Sequence, residues 1–182
     1  AATLAFSTIA NNDKVGVIFF SDKIEKYIPA QKGKTHVLHI IRELLSFEPN
    51  SKGTDMAQAL QYFANAQKRH CTAFLISDFI GAGAVDKPLL IASNRHEVNA
   101  IQIYDRREAE LPNIGLVKFH DAESDKDLWI DTSLATVRDD YAQAWKQNQD
   151  LLEQLFTRTG VNHISVRTDE DYVKALMHLF RC

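Results

Sequence analysis

A chain of 182 residues is long enough to bury one sizeable core and short for two, so a single domain over residues 1–182 is expected. Hydrophobic residues make up 45% and charged residues 25%, ordinary globular values, and no apolar run reaches the ~20 residues that span a bilayer, so no membrane contact is expected from this segment. With 21 Lys+Arg against 24 Asp+Glu the net charge is −3, which offers no general attraction to nucleic acid or anionic lipid. Cys71 and Cys182 stand in no metal-binding spacing and are too few for a secreted disulfide framework, which points to a reducing compartment and a cytoplasmic location.

Residues 1–10 place Ala2, Ala5, Phe6 and Ile9 at helical spacing, with a stop at Asn11-Asn12-Asp13 but no N-cap residue before them; the expectation is a helix cut by the start of the chain. Residues 15–20, Val-Gly-Val-Ile-Phe-Phe, form a continuous apolar run suited to a strand buried on both faces. Residues 24–29 alternate apolar and polar and end in Pro29, as an exposed edge strand does, so the two read as a hairpin. Helices are predicted over residues 35–47, with Val37, Ile40, Ile41, Leu44 and Leu45 on one face, and after the loop 49–53, with Met56, Ala59, Leu60 and Phe63 on one face.

A second inner strand is predicted over residues 72–77, closed by Asp78, a weaker helix over 84–94, and a third inner strand over 98–104, closed by Asp105. Residues 116–120 and 128–131 read as a surface hairpin joined by the charged stretch 121–127. The clearest helix runs over residues 135–158, with Val137, Tyr141, Trp145, Leu152 and Phe156 on one face and a stop at Gly160. A strand over 161–166 and a helix over 170–180, with Tyr172, Leu176, Leu179 and Phe180 facing inward, complete the chain. Apolar strands alternating with amphipathic helices imply a three-layer α/β architecture with a mainly parallel sheet and one antiparallel edge strand.

In open parallel sheets ligands bind beyond the carboxyl ends of the strands. That rim should hold Ser21, Asp22, Asp78 and Asp105, with Gly53, Thr54 and Asp55 able to reach it from their loop. Hydroxyls and carboxylates without His or Cys suit Mg²⁺, Mn²⁺ or Ca²⁺ rather than Zn²⁺. Thr54 or Asp55 also suits the N-cap of the following helix, Asp22 a turn and Asp105 a loop. Asp78 is the sharpest candidate, because a carboxylate at the mouth of an apolar strand is costly unless paired or metal-bound. His36 and His39 share a helix without a third ligand at matching spacing, and His70, His96, His120, His163 and His178 read as scattered surface or boundary residues. Cys71 reads as a small core residue, and Trp129 and Trp145 as hairpin and helix packing. No nucleophile elbow, phosphate-binding loop or dinucleotide fingerprint occurs.

The series Asn11-Asn12-Asp13-Lys14-Val15-Gly16-Val17, Phe19-Phe20-Ser21-Asp22, Gly53-Thr54-Asp55 and Ile76-Ser77-Asp78-Phe79 resembles the von Willebrand factor type A domain of the bacterial domain-of-unknown-function family fifty-eight (DUF58). The similarity continues through Tyr104-Asp105, Arg107-Glu108, Glu110-Leu111-Pro112, Gly115, Asp121-Ala122-Glu123, Val137-Arg138 and Thr168-Asp169-Glu170-Asp171-Tyr172.

That resemblance implies a Rossmann-like sheet with a metal-ion-dependent adhesion site, in which Thr54 matches the loop threonine and Asp78 the later aspartate. The family's Asp-x-Ser-x-Ser motif, borne on the central strand, is missing and would precede residue 1. It further implies a protein-interaction module rather than an enzyme, working with a MoxR-type AAA+ ATPase in protein assembly or maturation. With two ligands left, weak or no Mg²⁺ binding is expected. Without the central strand, the strands at 15–20 and 72–77 would pair directly or accept a strand from a second copy, giving a possible homodimer. A Mg²⁺-dependent enzyme or phosphoacceptor using Asp78 is the alternative.

Overall fold

A computed structural model of the chain describes residues 1–51, 53–81, 83–121 and 126–179. Strand β1 (Val15–Phe20) follows helix α1 (Ala2–Ala10) and pairs antiparallel with β2 (Ile24–Gln31). The ladder slips by one residue between Val15 and Val17, where Pro29 and Ala30 lie on the opposing strand. Proline has no N–H to give a ladder, so a bulge is its natural place in a strand. Gly16 lies opposite it, and a Cβ there would stand 2.7 Å from the Ile28 carbonyl oxygen and 2.8 Å from the Ala30 nitrogen. Only glycine allows the two backbones that close. A second slip, between Phe19 and Phe20, gives Glu25 no opposite number in the ladder.

Helices α2 (Lys34–Ser46) and α3 (Met56–Ala66) complete this part of the chain. Ala5, Ile28, Val37 and Ile40 form its buried centre, with Ile9, Val15, Val17, Phe19, Ile41 and Leu44 packed around them. The predicted face of α2 is right except at Leu45, which is 85% exposed; Ile41 and Leu44 already fill the stripe that meets α1 and β1. The His36 ring donates to the Val15 carbonyl oxygen (2.8 Å), and Lys26 on β2 pairs with Glu43 on α2 at 2.6 Å.

The next strand, β3 (Thr72–Ser77), leads through α4 (Asp86–Ser93) to β4 (Glu97–Tyr104) and the short α5 (Arg106–Ala109). A hairpin of β5 (Leu116–Asp121) and β6 (Lys126–Asp131) follows, then α6 (Ala135–Thr159), β7 (Asn162–Arg167) and α7 (Tyr172–Leu179). The parallel sheet has the order β3-β4-β7, with Ser77 level with Gln102 and Gln102 level with Ser165. Its central strand β4 is buried from Val98 to Gln102, whereas β1 and β3 are only half-buried. The expectation that all three inner strands are buried on both faces therefore holds only for β4, the middle strand of the parallel sheet. β1 belongs to a two-stranded sheet of the first compact unit and β3 to the parallel sheet of the second.

The α/β class, the mainly parallel sheet, the antiparallel β1–β2 hairpin and the surface hairpin all match expectation. The chain falls into two compact units, Ala1–Lys68 with Gly81–Pro88, and Arg69–Ile80 with Leu89–Cys182.

Helix α6 ends where expected, at Gly160 in the left-handed region (φ 66°). Leu152, Leu155 and Phe156 are buried, and Phe156 lies edge-on to Phe79 with ring centroids 5.3 Å apart. The hairpin is anchored at its base. Thr132 is fully buried, takes the Ile114 N–H (3.1 Å) and donates to the Gly115 carbonyl (2.8 Å), while Arg138 on α6 donates to the Thr132 carbonyl (2.7 Å). Beyond the base, Leu128 and Trp129 are each 61% exposed, so Trp129 is not a core residue.

Three further expectations change. Tyr172 is exposed, because α7 turns Leu176 and Leu179 inward instead. His96 is buried at 3% exposure rather than on the surface, and its Nδ1 lies 3.6 Å from the Cys71 thiol. Cys71 is half-buried, and that burial pushes its thiol pKa up. Cys182, Phe180 and the hairpin tip 122–125 lie outside the described residues, as does the side chain of His178.

Candidate functional site

In the first unit the end of β1 and the loop 49–55 are tied together. Ser21 is buried, and its hydroxyl donates to Glu25 Oε1 (2.7 Å) and lies 3.2 Å from Asp22 Oδ1. Freed from the ladder by the slip in register, Glu25 takes the backbone N–H and side-chain amide of Asn50 (3.1 and 2.8 Å). The Asn50 and Ser21 hydrogen bonds hold the Glu25 carboxyl below the usual carboxylate range. The Ser21 carbonyl accepts the Asp55 N–H (2.8 Å), and Gly53 comes close enough that a Cβ would touch that of Asp22 at 3.3 Å. Asp55 caps α3 by accepting the Gln58 N–H (2.8 Å). Thr54 is exposed beside it. Ser21, Asp22, Gly53, Thr54 and Asp55 thus form one lip.

In the second unit Asp78 and Asp105 follow neighbouring parallel strands at the same end of the sheet. Asp78 is exposed rather than enclosed, so the desolvation argument for it does not apply. Its Oδ1 accepts the Ile80 N–H (3.0 Å) in a tight turn, and its carbonyl accepts from buried Gln102 (3.3 Å), which Ser165 on β7 holds at 2.8 Å. Phe79, buried beneath, adopts φ 60°, a costly conformation for a bulky residue that its packing imposes.

Asp105, expected to form a loop, instead caps α5. It accepts the Arg107 N–H (2.8 Å) while Glu108 accepts its own N–H (3.1 Å), a reciprocal capping box. Thr168 donates to its other oxygen (3.1 Å). The Arg107 amide, with the Thr168 hydroxyl, lowers the Asp105 pKa. A lowered folded pKa contributes stability above the ordinary carboxylate range that is lost as pH falls through the folded value. NMR titration of the Arg107 and Thr168 amides is therefore expected to inflect below ~3.9, the ordinary aspartate value.

Thr54 belongs to the first unit and Asp78 to the second. Both offer hard oxygen ligands, the donor type Mg²⁺ takes. Among the described residues, however, no three His, Cys, Asp or Glu side chains gather into a metal-binding group. The fit is right in chemistry and short in number. Sequence reasoning missed Glu25, Asn50 and Glu108: the first two depend on a strand irregularity, and the third on a four-residue helix too short to leave a periodic signal. The spacing Asp105-x-x-Glu108 was the available clue to that helix.

The sequence pattern of the family described as "Protein of unknown function DUF58" matches residues 1–151, so the chain belongs to that family. Uncharacterized proteins of Mycobacterium tuberculosis (strain ATCC 25618 / H37Rv) and Mycobacterium avium are each 30% identical to it. The first match covers 95% of this chain and 55% of that protein, the second 85% and 92%. The chain thus spans about half the length of the M. tuberculosis relative. Its fold is similar to the crystal structure of conserved hypothetical protein BatB from Bacteroides thetaiotaomicron (TM-score 0.57, 14% identity, 99% of this chain and 85% of that one). It is also similar to an aerotolerance-related membrane protein from Bacteroides fragilis NCTC 9343 (TM-score 0.60, 15% identity, 100% and 87%). Among the described residues no helix is long and apolar enough to cross a membrane.

Proposed function

We propose that this DUF58 member is a non-enzymatic protein-interaction module of the von Willebrand factor type A kind, cytoplasmic, and a partner of a MoxR-type AAA+ ATPase in protein assembly or maturation. The observation that carries the reading is the presentation of Asp78. Its carboxylate is exposed at the carboxyl end of a parallel strand, held at one oxygen by a backbone N–H and seated on a buried, strained Phe79. A fixed anion on a rigid element is a recognition group, since little side-chain freedom is lost when a partner engages it. The Ser21–Asp55 lip gives the first unit a second surface of the same oxygen-rich chemistry.

In the family's intact site Mg²⁺ would offer a coordination position to a partner's carboxylate. Thr54 and Asp78 are too few to hold it tightly, so recognition here runs through the side chains themselves. Calorimetry with Mg²⁺ or Mn²⁺ is expected to show no tight binding; micromolar binding abolished by Asp78→Ala would overturn this part of the reading. Among the described residues β1 pairs with β2 and β3 with β4, and the other edge of each is where a second copy would add a strand; a strictly monomeric mass by light scattering would remove that possibility.

The direct test titrates the chain against a purified MoxR-type ATPase in the presence of EDTA. Association with a Kd of about 1–10 μM is expected, weakened roughly tenfold by Asp78→Asn, which keeps the Ile80 hydrogen bond and removes the charge. No association at ~100 μM, or an Asp78→Asn variant that binds like the parent, would refute it.

A further inference from the structure

Beside the Asp78 turn lies a cavity of about 200 Å³ lined by Ile80, Glu108, Tyr141, Ala144, Trp145 and Asn148, all in the second unit. It is smaller than the ~300–1,000 Å³ typical of pockets for whole small molecules and is sized for one side chain. Trp145, whose indole is backed by Tyr104 with ring centroids 5.3 Å apart, forms one wall, and Ile80, 52% exposed, carries its apolar surface out to solvent. Glu108 and Tyr141 direct their polar atoms elsewhere. Glu108 gives Oε1 to the Asp105 N–H (3.1 Å) and keeps Oε2 closed to solvent, and the Tyr141 hydroxyl is directed to the Arg107 carbonyl at 3.4 Å. An entering group therefore meets mostly hydrocarbon and aromatic ring.

Apolar surface left open beside a fixed charge marks a contact site for a protein partner. Asp78 sets the charge of that partner. Its hydrogen bonds with the Ser77 hydroxyl (3.4 Å) and the Ile80 N–H (3.0 Å) are both made through Oδ1. Oδ2 makes none among the described residues, so the turn that carries Ile80 also presents a free carboxylate oxygen. A negative charge and an apolar cavity on one turn are complementary to a segment that sets a base close to a bulky apolar residue, whereas an acid in place of the base would meet like charge. We propose that the cavity takes a bulky apolar side chain, leucine in size, from a protein partner whose adjacent basic residue meets Asp78. This rests on the interaction-module reading and adds the chemistry of the partner segment: an apolar anchor beside a cation.

The chain has two tryptophans, so Trp129→Phe, a change at an exposed hairpin position, leaves Trp145 as the sole reporter. Titrating that variant with the acetylated, amidated peptide Leu-Gly-Arg is expected to change Trp145 emission saturably, with half-saturation at about 5 mM. Ser-Gly-Arg, which lacks the anchor, should give no saturable change by ~50 mM. In so short a peptide the charge pair stays in water, so Leu-Gly-Gln should bind about threefold more weakly than Leu-Gly-Arg, and Asp78→Asn should remove that difference while leaving the leucine response. Ala144→Leu, at an exposed helical position, fills the cavity with a good helix former and should abolish the response to both leucine peptides. No saturation by ~50 mM, an equal response to Ser-Gly-Arg, tighter binding of Leu-Gly-Glu than of Leu-Gly-Arg, or an Ala144→Leu variant that binds like its parent would overturn the proposal. The readout does not use the ATPase, so a saturable leucine response without ATPase association, or ATPase association without that response, shows which of the two readings has failed.

Discussion

Phe156→Ala is expected to destabilise the second unit by about 3–5 kcal/mol, the range for removing a large aromatic from a well-packed core. Phe156 is 2% exposed and stands at the junction of three elements. Its ring meets Phe79 edge-on at 5.3 Å and the His163 ring of β7 at 4.8 Å. Truncation therefore removes the transfer free energy of the ring and opens a cavity between α6 and β7 that their backbones, fixed by helix and ladder, cannot close. It also withdraws the support that keeps Phe79 in its left-handed conformation. Urea unfolding followed by hydrogen exchange at the β4 and β7 amides would measure this, with Phe6→Ala, on an exposed face of α1, as the control expected to change little. A loss below ~1 kcal/mol would mean that the junction is not the centre of the unit.

The second large effect is expected at Gly16. Alanine there is a change of one methyl group, yet its Cβ would fall 2.7–3.1 Å from the Ile28 oxygen, the Ala30 nitrogen and the Ala30 Cα, all of them backbone atoms that no rotamer change can move aside. Relief requires β1 and β2 to separate at the bulge. That would disturb Val15 and Val17, which pack on the buried Ile28, Val37 and Ile40. A destabilisation of about 2–3 kcal/mol is expected, read as a lower midpoint of unfolding and faster exchange of the β1 amides. An unchanged midpoint would show that the bulge relaxes freely.

The contrast between these two positions shows what the sequence made legible. Phe156 was visible as a core residue because the α6 periodicity persists over about five turns, and β1 and β3 were placed to the residue by their unbroken apolar runs. Gly16 looked like any glycine in a strand. Its meaning depends on Pro29 and Ala30 across the ladder, a pairing that local pattern does not encode. The same holds for Glu25, whose aim toward Ser21 and Asn50 follows from a slip in register. Burial was misjudged where an element has a neighbour on one side only: Leu45 and Tyr172 lie on amphipathic helices whose stripes are wider than the surfaces they meet. For the candidate site, the oxygen-bearing residues were legible as a set, because strand ends are where such residues collect. Their hydrogen bonds were not: the position of Asp78 after an apolar strand suggests an enclosed charge, and the carboxylate is exposed.

The route from β4 to β7 has a consequence for how this chain can vary. Those two strands lie side by side in register, yet everything from α5 to α6, including the β5–β6 hairpin, intervenes between Tyr104 and Asn162. Because the entropy of closing a loop grows only logarithmically, doubling such an excursion adds only ~0.6 kcal/mol. The hairpin is rooted through Thr132 and Arg138 and presents Leu128 and Trp129 to solvent, so its length and outer residues can change without altering the register of the strands beneath. Relatives that keep this sheet are free to diverge most in that appendage.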